Sequence, residues 1–147
     1  MLIQGTCHCG NISFWLTWEP DPSEIPARAC GCSFCTKHGG VWTSNPKGAL
    51  KIVIKDRGLV STYEFGTRTA QLCVCARCGV VPVATSTIDA HLYAVVNVNA
   101  FEGVDPARLR RSPVSFDGEG KDSRLARRKR SWIASVQYIE SSVTISP

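Results

Sequence analysis

Cys7-His8-Cys9-Gly10-Asn11-Ile12-Ser13-Phe14-Trp15-Leu16-Thr17-Trp18 contains the two elements from which the fold is read. Its first third is a pair of cysteines one residue apart, closed by a glycine. The remainder alternates, placing Ile12, Phe14, Leu16 and Trp18 on one face, the period of a half-buried strand. A cysteine turn that feeds directly into a strand predicts a β domain held at its strand ends by metal.

Two more clusters follow, Cys30-Gly31-Cys32-Ser33-Phe34-Cys35 and Cys73-Val74-Cys75-Ala76-Arg77-Cys78-Gly79. With the first they hold all eight cysteines of the 147-residue chain. Such spacing lets one turn aim several thiolates at one soft cation, and zinc is the usual choice. Disulfides are the competing use of an even cysteine count. Against them, Met1-Leu2-Ile3-Gln4-Gly5 enters the first cluster without a charged and apolar leader, so a reducing, cytoplasmic setting is expected. Cysteines two apart on a strand are awkward disulfide partners, and a chain of this length can build its own core. No apolar run approaches the ~20 residues of a membrane-spanning helix.

The clusters are not equivalent. The first and third end in Cys-Gly, and glycine there permits the positive φ that turns backbone N–H groups toward thiolates. Cys7, Cys9, Cys75 and Cys78 fit a closed, structural four-thiolate site. Cys30, Cys32 and Cys35 remain, followed by Thr36-Lys37-His38-Gly39-Gly40. Three thiolates leave a fourth position for a substrate thiol or water. Cys73, two residues before Cys75, or His38, three after Cys35, could instead close that site and make it structural.

The rest reads as strands and turns. Leu50–Lys55 alternates, Val60–Phe65 and Gln71–Cys75 are strand-like, and Ala94–Asn99 is β-rich. Glu19–Pro26, with Pro20, Pro22 and Pro26, is a loop. Trp132–Val136 and Val143–Ile145 are candidate edge strands. Short helical turns are expected near Ser33–His38, Asp105–Arg110 and Ser123–Arg130, the last capped by Asp122 or Ser123. Trp15, Trp18, Trp42 and Trp132 read as core or rim packing.

Charge is concentrated. Nine of the 17 Lys and Arg residues fall between Arg108 and Arg130 against three acids, so that segment is +6 in a chain of net charge +5. The remainder gives no bulk-charge argument for nucleic acid. Arg124–Arg130 reads first as a solvated charged helix, and alternatively as a patch for an acidic partner or an anion site for a small molecule.

Gly5-Thr6-Cys7-His8-Cys9-Gly10-Asn11-Ile12-Ser13-Phe14, the cluster at 30–35, Gly39-Gly40, and Cys75-Ala76-Arg77-Cys78-Gly79 together resemble the glutathione-dependent formaldehyde-activating enzyme family, which also includes centromere protein V. Val96-Asn97-Val98-Asn99 and Phe101-Glu102-Gly103-Val104-Asp105 extend the similarity, which covers about 3–105 and leaves 106–147 as a basic extension of one zinc-binding domain. The resemblance implies a mainly-β fold of twisted antiparallel sheets with few short helices. It implies two zincs: a structural one on Cys7, Cys9, Cys75 and Cys78, and a labile, catalytic one on Cys30, Cys32 and Cys35. It implies a carbon–sulfur lyase, joining glutathione as co-substrate to formaldehyde or a related electrophile.

On that reading His38 supplies a proton, and Lys37 or Arg77 holds glutathione carboxylates. The arginines of 108–130 could do the same if the tail folds over the site. The partner is then a small-molecule thiol or thiol adduct, rather than nucleic acid or a membrane. The alternative is a non-catalytic zinc-binding interaction module that uses the basic 124–130 helix.

Overall fold

The computed structural model describes residues 1–141; the candidate strand Val143–Ile145 lies outside the described residues. In chain order the strands are β1 (Leu2–Thr6), β2 (Ile12–Thr17), β3 (Ile25–Cys30), β4 (Val41–Thr43), β5 (Ala49–Ile54), β6 (Val60–Tyr63), β7 (Gln71–Cys75), β8 (Val83–Ile88), β9 (His91–Asn97), β10 (Phe101–Glu102), β11 (Leu109–Val114) and β12 (Ser135–Glu140). Two α-helices accompany them, α1 (Ser33–His38) and α2 (Lys121–Ser131).

The strands form a five-stranded sheet, β10-β1-β2-β5-β12, and a seven-stranded sheet, β11-β3-β4-β9-β8-β7-β6. The fold is mainly β, as expected, and its pairings are antiparallel except at one edge of each sheet. There β11 lies parallel to β3 and β12 parallel to β5. Both exceptions come from the C-terminal extension, which thereby closes an edge of each layer.

The main core lies between the sheets. Ile3, Phe14, Leu16 and Ile52 from the smaller sheet meet Cys73, Val83 and Val96 from the larger, all buried. Gly5 makes room for this packing, since a Cβ there would fall 2.1 Å from Cζ of Phe14. The larger sheet is covered on both faces. Along β7, Cys73 and Cys75 point into the inter-sheet core, while Leu72 packs on the opposite side with Ala84, Val95, Trp42 and Trp132. Burial on both faces removes the apolar–polar alternation that identifies a strand, which is why β8 escaped the sequence reading.

Three local expectations are corrected. The segment Asp105–Arg110 makes only a 3₁₀ turn at Pro106–Arg108 before entering β11. α2 begins earlier than Ser123, with Gly120 at its N-cap and no side-chain capping bond, so neither Asp122 nor Ser123 caps it. The last strand starts at Ser135, while Trp132 and Ile133 are buried and Ile133 exchanges backbone hydrogen bonds with Ala94.

Candidate metal centre and cavity

The loop after β1 and the loop after β7 are two facing turns. Gly10 and Gly79 take φ of 85° and 80°, the left-handed region that glycine enters without steric cost. In the first turn, Gly10 N–H bonds Cys7 O and Ile12 N–H bonds Cys7 Sγ at 3.2 Å. In the second, Gly79 N–H bonds Cys75 O. These turns bring Cys7, Cys9, Cys75 and Cys78 together, with all four Sγ atoms within 4.8 Å of one another. Cys7 and Cys9 sulfurs are 3.7 Å apart, and Cys9 and Cys75 sulfurs 3.5 Å. A zinc–sulfur tetrahedron with ~2.3 Å bonds has edges of about 3.8 Å, so the donor set fits zinc. Burial pushes the Cys7 thiol up to about 12. At Cys78 burial acts the same way but is outweighed by the N–H groups of Val80 and Cys9, which bring it down to about 6. Binding a divalent cation must release the protons that remain.

The second cluster is built differently. Cys30 ends β3, Cys32 is the N-cap of α1, and Cys35 sits buried inside that helix. Cys32 Sγ accepts the N–H of Cys35 at 3.3 Å, and Gly39 closes the helix with φ of 78°. The three Sγ atoms lie within 4.8 Å of one another, and among the described residues no fourth Cys, His, Asp or Glu ligand atom joins them. Trp42 donates its indole N–H to Cys35 Sγ at 3.3 Å. The hydrogen bond from Cys35 brings Cys30 down to about 5, with Arg127 adding a favourable field, and Cys35 is pushed well up in turn. Three sulfurs in this array fit a soft cation that keeps a coordination position free.

Neither residue that could have closed this site does so. Cys73 faces the inter-sheet core with Cys75, on the side of β7 opposite to Leu72, and burial raises its thiol to about 11. His38 stacks on Phe34 at 5.4 Å, its Nε2 buried without a partner and its pKa lowered by burial. All eight cysteines are free of disulfides.

The three cysteines line a cavity of about 460 Å³, a size that suits a small-molecule ligand. Its floor is the outer face of the larger sheet, through Leu72, Ala84 and Val95. Phe65 and Thr67 of the β6–β7 connection and Trp132 also line it. The remaining wall carries four arginines, Arg28, Arg124, Arg127 and Arg128. Arg28 stands two residues before Cys30 on β3, hence on the same face. Arg124, Arg127 and Arg128 follow the i, i+3, i+4 spacing that shares one face of a helix. The basic tail therefore does fold over the site.

Within that wall Arg127 grips Glu119 through Nε at 3.0 Å and Nη2 at 3.1 Å, and its Cζ lies 3.6 Å from the centre of the Phe116 ring. Arg124 donates to the carbonyls of Phe116 and Glu119. Arg128 is only 6% exposed, contrary to the solvated helix that its sequence suggested. With three arginines turned inward and Lys129 paired to Asp89, α2 offers no continuous basic face of the kind the interaction-module alternative required.

Of the other proposed site residues, Lys37 is exposed on α1 and Arg77 is exposed in the turn between Cys75 and Cys78. Neither they nor His38 are among the residues that line the cavity. Arg28 and Trp42 were not assigned to the site from sequence. The signal for Arg28 was its two-residue offset from Cys30, hidden because the Pro-rich approach to β3 read as loop.

The model of a family described as glutathione-dependent formaldehyde-activating enzyme matches residues 2–112. A Halomonas elongata protein, provisionally named as such an enzyme, is 32% identical over 85 residues, covering 53% of this chain and 52% of its own. The aligned part thus spans about half the length of that curated relative. A crystal structure of a Rhodobacter sphaeroides protein matches with a TM-score of 0.55 and 32% identity, over 71% of this chain and 92% of that one. No helix among the described residues is long and apolar enough to cross a membrane. Both cysteine turns, the three-cysteine cluster and Arg28 fall within 2–112, and on that match the chain belongs to the glutathione-dependent formaldehyde-activating enzyme family.

Proposed function

We propose that the protein is a zinc-dependent carbon–sulfur lyase that activates a thiol, glutathione or a relative, for reversible addition to formaldehyde or a related electrophile. One observation carries this reading: Cys30, Cys32 and Cys35 converge, without a fourth protein ligand among the described residues, on the wall of a cavity large enough for a small molecule. A zinc held there would supply Lewis acidity, keeping an incoming thiol in its nucleophilic thiolate form at neutral pH.

The chain's own residues do the rest. Trp42 fixes Cys35 through its indole N–H. Leu72, Val95 and Trp132 exclude water from the floor, and the arginine wall favours an anionic ligand. The thiolate sulfur attacks the aldehyde carbon, a C–S bond forms, and the C=O π pair moves to oxygen, which takes a proton from water. Proximity is the main requirement for so reactive an electrophile. His38, outside the cavity, is given no proton-transfer role, and Lys37 and Arg77 are given no carboxylate. The structural zinc would tie the loop after β1 to the loop after β7 and contribute to folding. Free thiols suit a reducing, cytoplasmic setting.

The test is the exchange rate between ¹³C-labelled formaldehyde and its glutathione adduct, followed by NMR. Two-zinc protein should accelerate exchange, and Cys32→Ala should not. No acceleration by wild type carrying two zincs would sink the proposal.

A further inference from the structure

Two guanidinium groups of the arginine wall, those of Arg28 and Arg128, have no carboxylate paired with them among the described residues. Arg128 donates from Nη1 to Thr69 Oγ1 at 2.7 Å and Ser86 Oγ at 3.3 Å, while its Nε is buried without an acceptor. Arg28 donates from Nη2 to Ser44 Oγ at 2.7 Å, and that hydroxyl in turn donates to Ser131 O at 2.6 Å. The contacts are all to neutral hydroxyls. They fix where the guanidiniums point without supplying a counter-charge. Among the described residues no carboxylate forms an ion pair with either arginine.

A buried, unpaired charge is costly to a fold, and here like charges add to the cost. Burial lowers the pKa of both arginines, and the neighbouring Arg127 lowers it further in each case; at Arg128 the field of Glu119 opposes this but does not outweigh it. The Trp132 ring, 4.9 Å from Cζ of Arg128, offsets part of this. Glu119 is already committed to Arg127. The arrangement resolves if the ligand brings the missing anion. Because both arginines line a cavity of about 460 Å³ rather than an outer face, the anion we infer is that of a small molecule. A guanidinium fork pairs best with a planar, two-oxygen group.

We propose that Arg128 and Arg28 are the receptor for a carboxylate of the thiol substrate, so that this protein selects carboxylate-bearing thiols over neutral ones. The inference rests on reading Cys30, Cys32 and Cys35 as the thiol end of the same cavity. Arg128 lies beyond the span matched by the family model, which stops at residue 112. One of the two receptor arginines is therefore supplied by this chain's own C-terminal extension.

Calorimetric titration of two-zinc protein with 3-mercaptopropionate and with its amide tests this directly. The acid should bind at least about tenfold more tightly, as expected for a charge-assisted hydrogen bond. Arg128→Gln should abolish the preference, bringing the acid's affinity down to that of the amide, with zinc content and circular dichroism confirming the fold. Equal affinity of the two thiols for wild type overturns the proposal, and that comparison needs no variant. Should Arg128→Gln fail to fold, Arg28→Gln makes the same test, and a preference that persists in it overturns the receptor.

If neither thiol binds, the thiol-site reading fails separately. S-methylglutathione, which has carboxylates but no free thiol, then reports on the arginines alone. Binding by wild type that is lost in the folded arginine variant sustains the carboxylate receptor, and no binding by wild type rejects it.

Discussion

The indole N–H of Trp42 points at Cys35 Sγ from 3.3 Å, and both side chains are buried. Gly40 is what lets them meet. A Cβ at that position would lie 2.9 Å from Trp42 Nε1 and 3.3 Å from Cys35 Sγ. Outer partners of this kind orient a ligand and tune its basicity, and losing one typically costs about 10–100-fold in metal affinity. Trp42→Phe should therefore weaken zinc at the three-cysteine site by about that factor while the four-cysteine site keeps its metal. Competition against a chromophoric chelator reads both steps. Equal weakening of both sites would contradict the assignment.

The two sites should separate cleanly on mutation. Cys7 and Cys75 are fully buried between the sheets, and their metal would join segments far apart in the chain. Cys7→Ala is expected to remove one zinc and the cooperative unfolding transition with it. Cys32→Ala is expected to remove one zinc, keep the transition, and abolish adduct exchange. Zinc content by mass spectrometry, paired with thermal melts, decides between them. A Cys7→Ala protein that melts like wild type would remove the structural role.

Ile133 follows α2 and is fully buried, hydrogen-bonded through its backbone to Ala94. Truncating such a side chain leaves a cavity, so Ile133→Ala should cost about 2–5 kcal/mol in urea unfolding. A change below about 1 kcal/mol would mean the extension is a dispensable appendage rather than part of the core.

Burial lowers the pKa of His38 from its ordinary 6.5. The folded protein thus resists protonation that the unfolded chain accepts. The resulting stability is present above the ordinary value and is lost as pH falls from there through the depressed folded value. Cysteine protonation at the metal sites acts in the same direction, so the comparison must be with His38→Gln. The variant's Tm should fall less than that of wild type as pH is lowered from about 7.5 to about 5.5. Identical slopes would show that His38 is not held neutral.

How much of this was legible depended on whether a residue's role was local. The Cys-Gly turns at Cys9-Gly10 and Cys78-Gly79, and the short helical turn at Ser33–His38, are complete within a few residues, and all were readable. Cys73 was not, because its exclusion from the second site depends on which face of β7 points into the core. β11 escaped for a different reason. Leu109–Val114 carries two arginines and Pro113, and becomes a strand only as an edge partner of β3, where proline is tolerated. The helix at 121–131 was foreseen, but its charge suggested solvent. The spacing of Arg124, Arg127 and Arg128, with Trp132 one turn on, held the contrary signal. Three arginines and an aromatic on one face describe an anion-facing wall better than a solvated surface.

The central claim is an open coordination position at Cys30, Cys32 and Cys35, and cobalt substitution tests it most directly. Seven cysteine thiolates converge on the two sites, and each contributes to the sulfur-to-metal charge-transfer absorption. Saturating glutathione should raise that absorption by about one-seventh, as an eighth thiolate fills the free position. The increase should vanish in Cys32→Ala. A dicobalt spectrum that shows four thiolates at each site before any thiol is added, or one that glutathione leaves unchanged, would contradict the account.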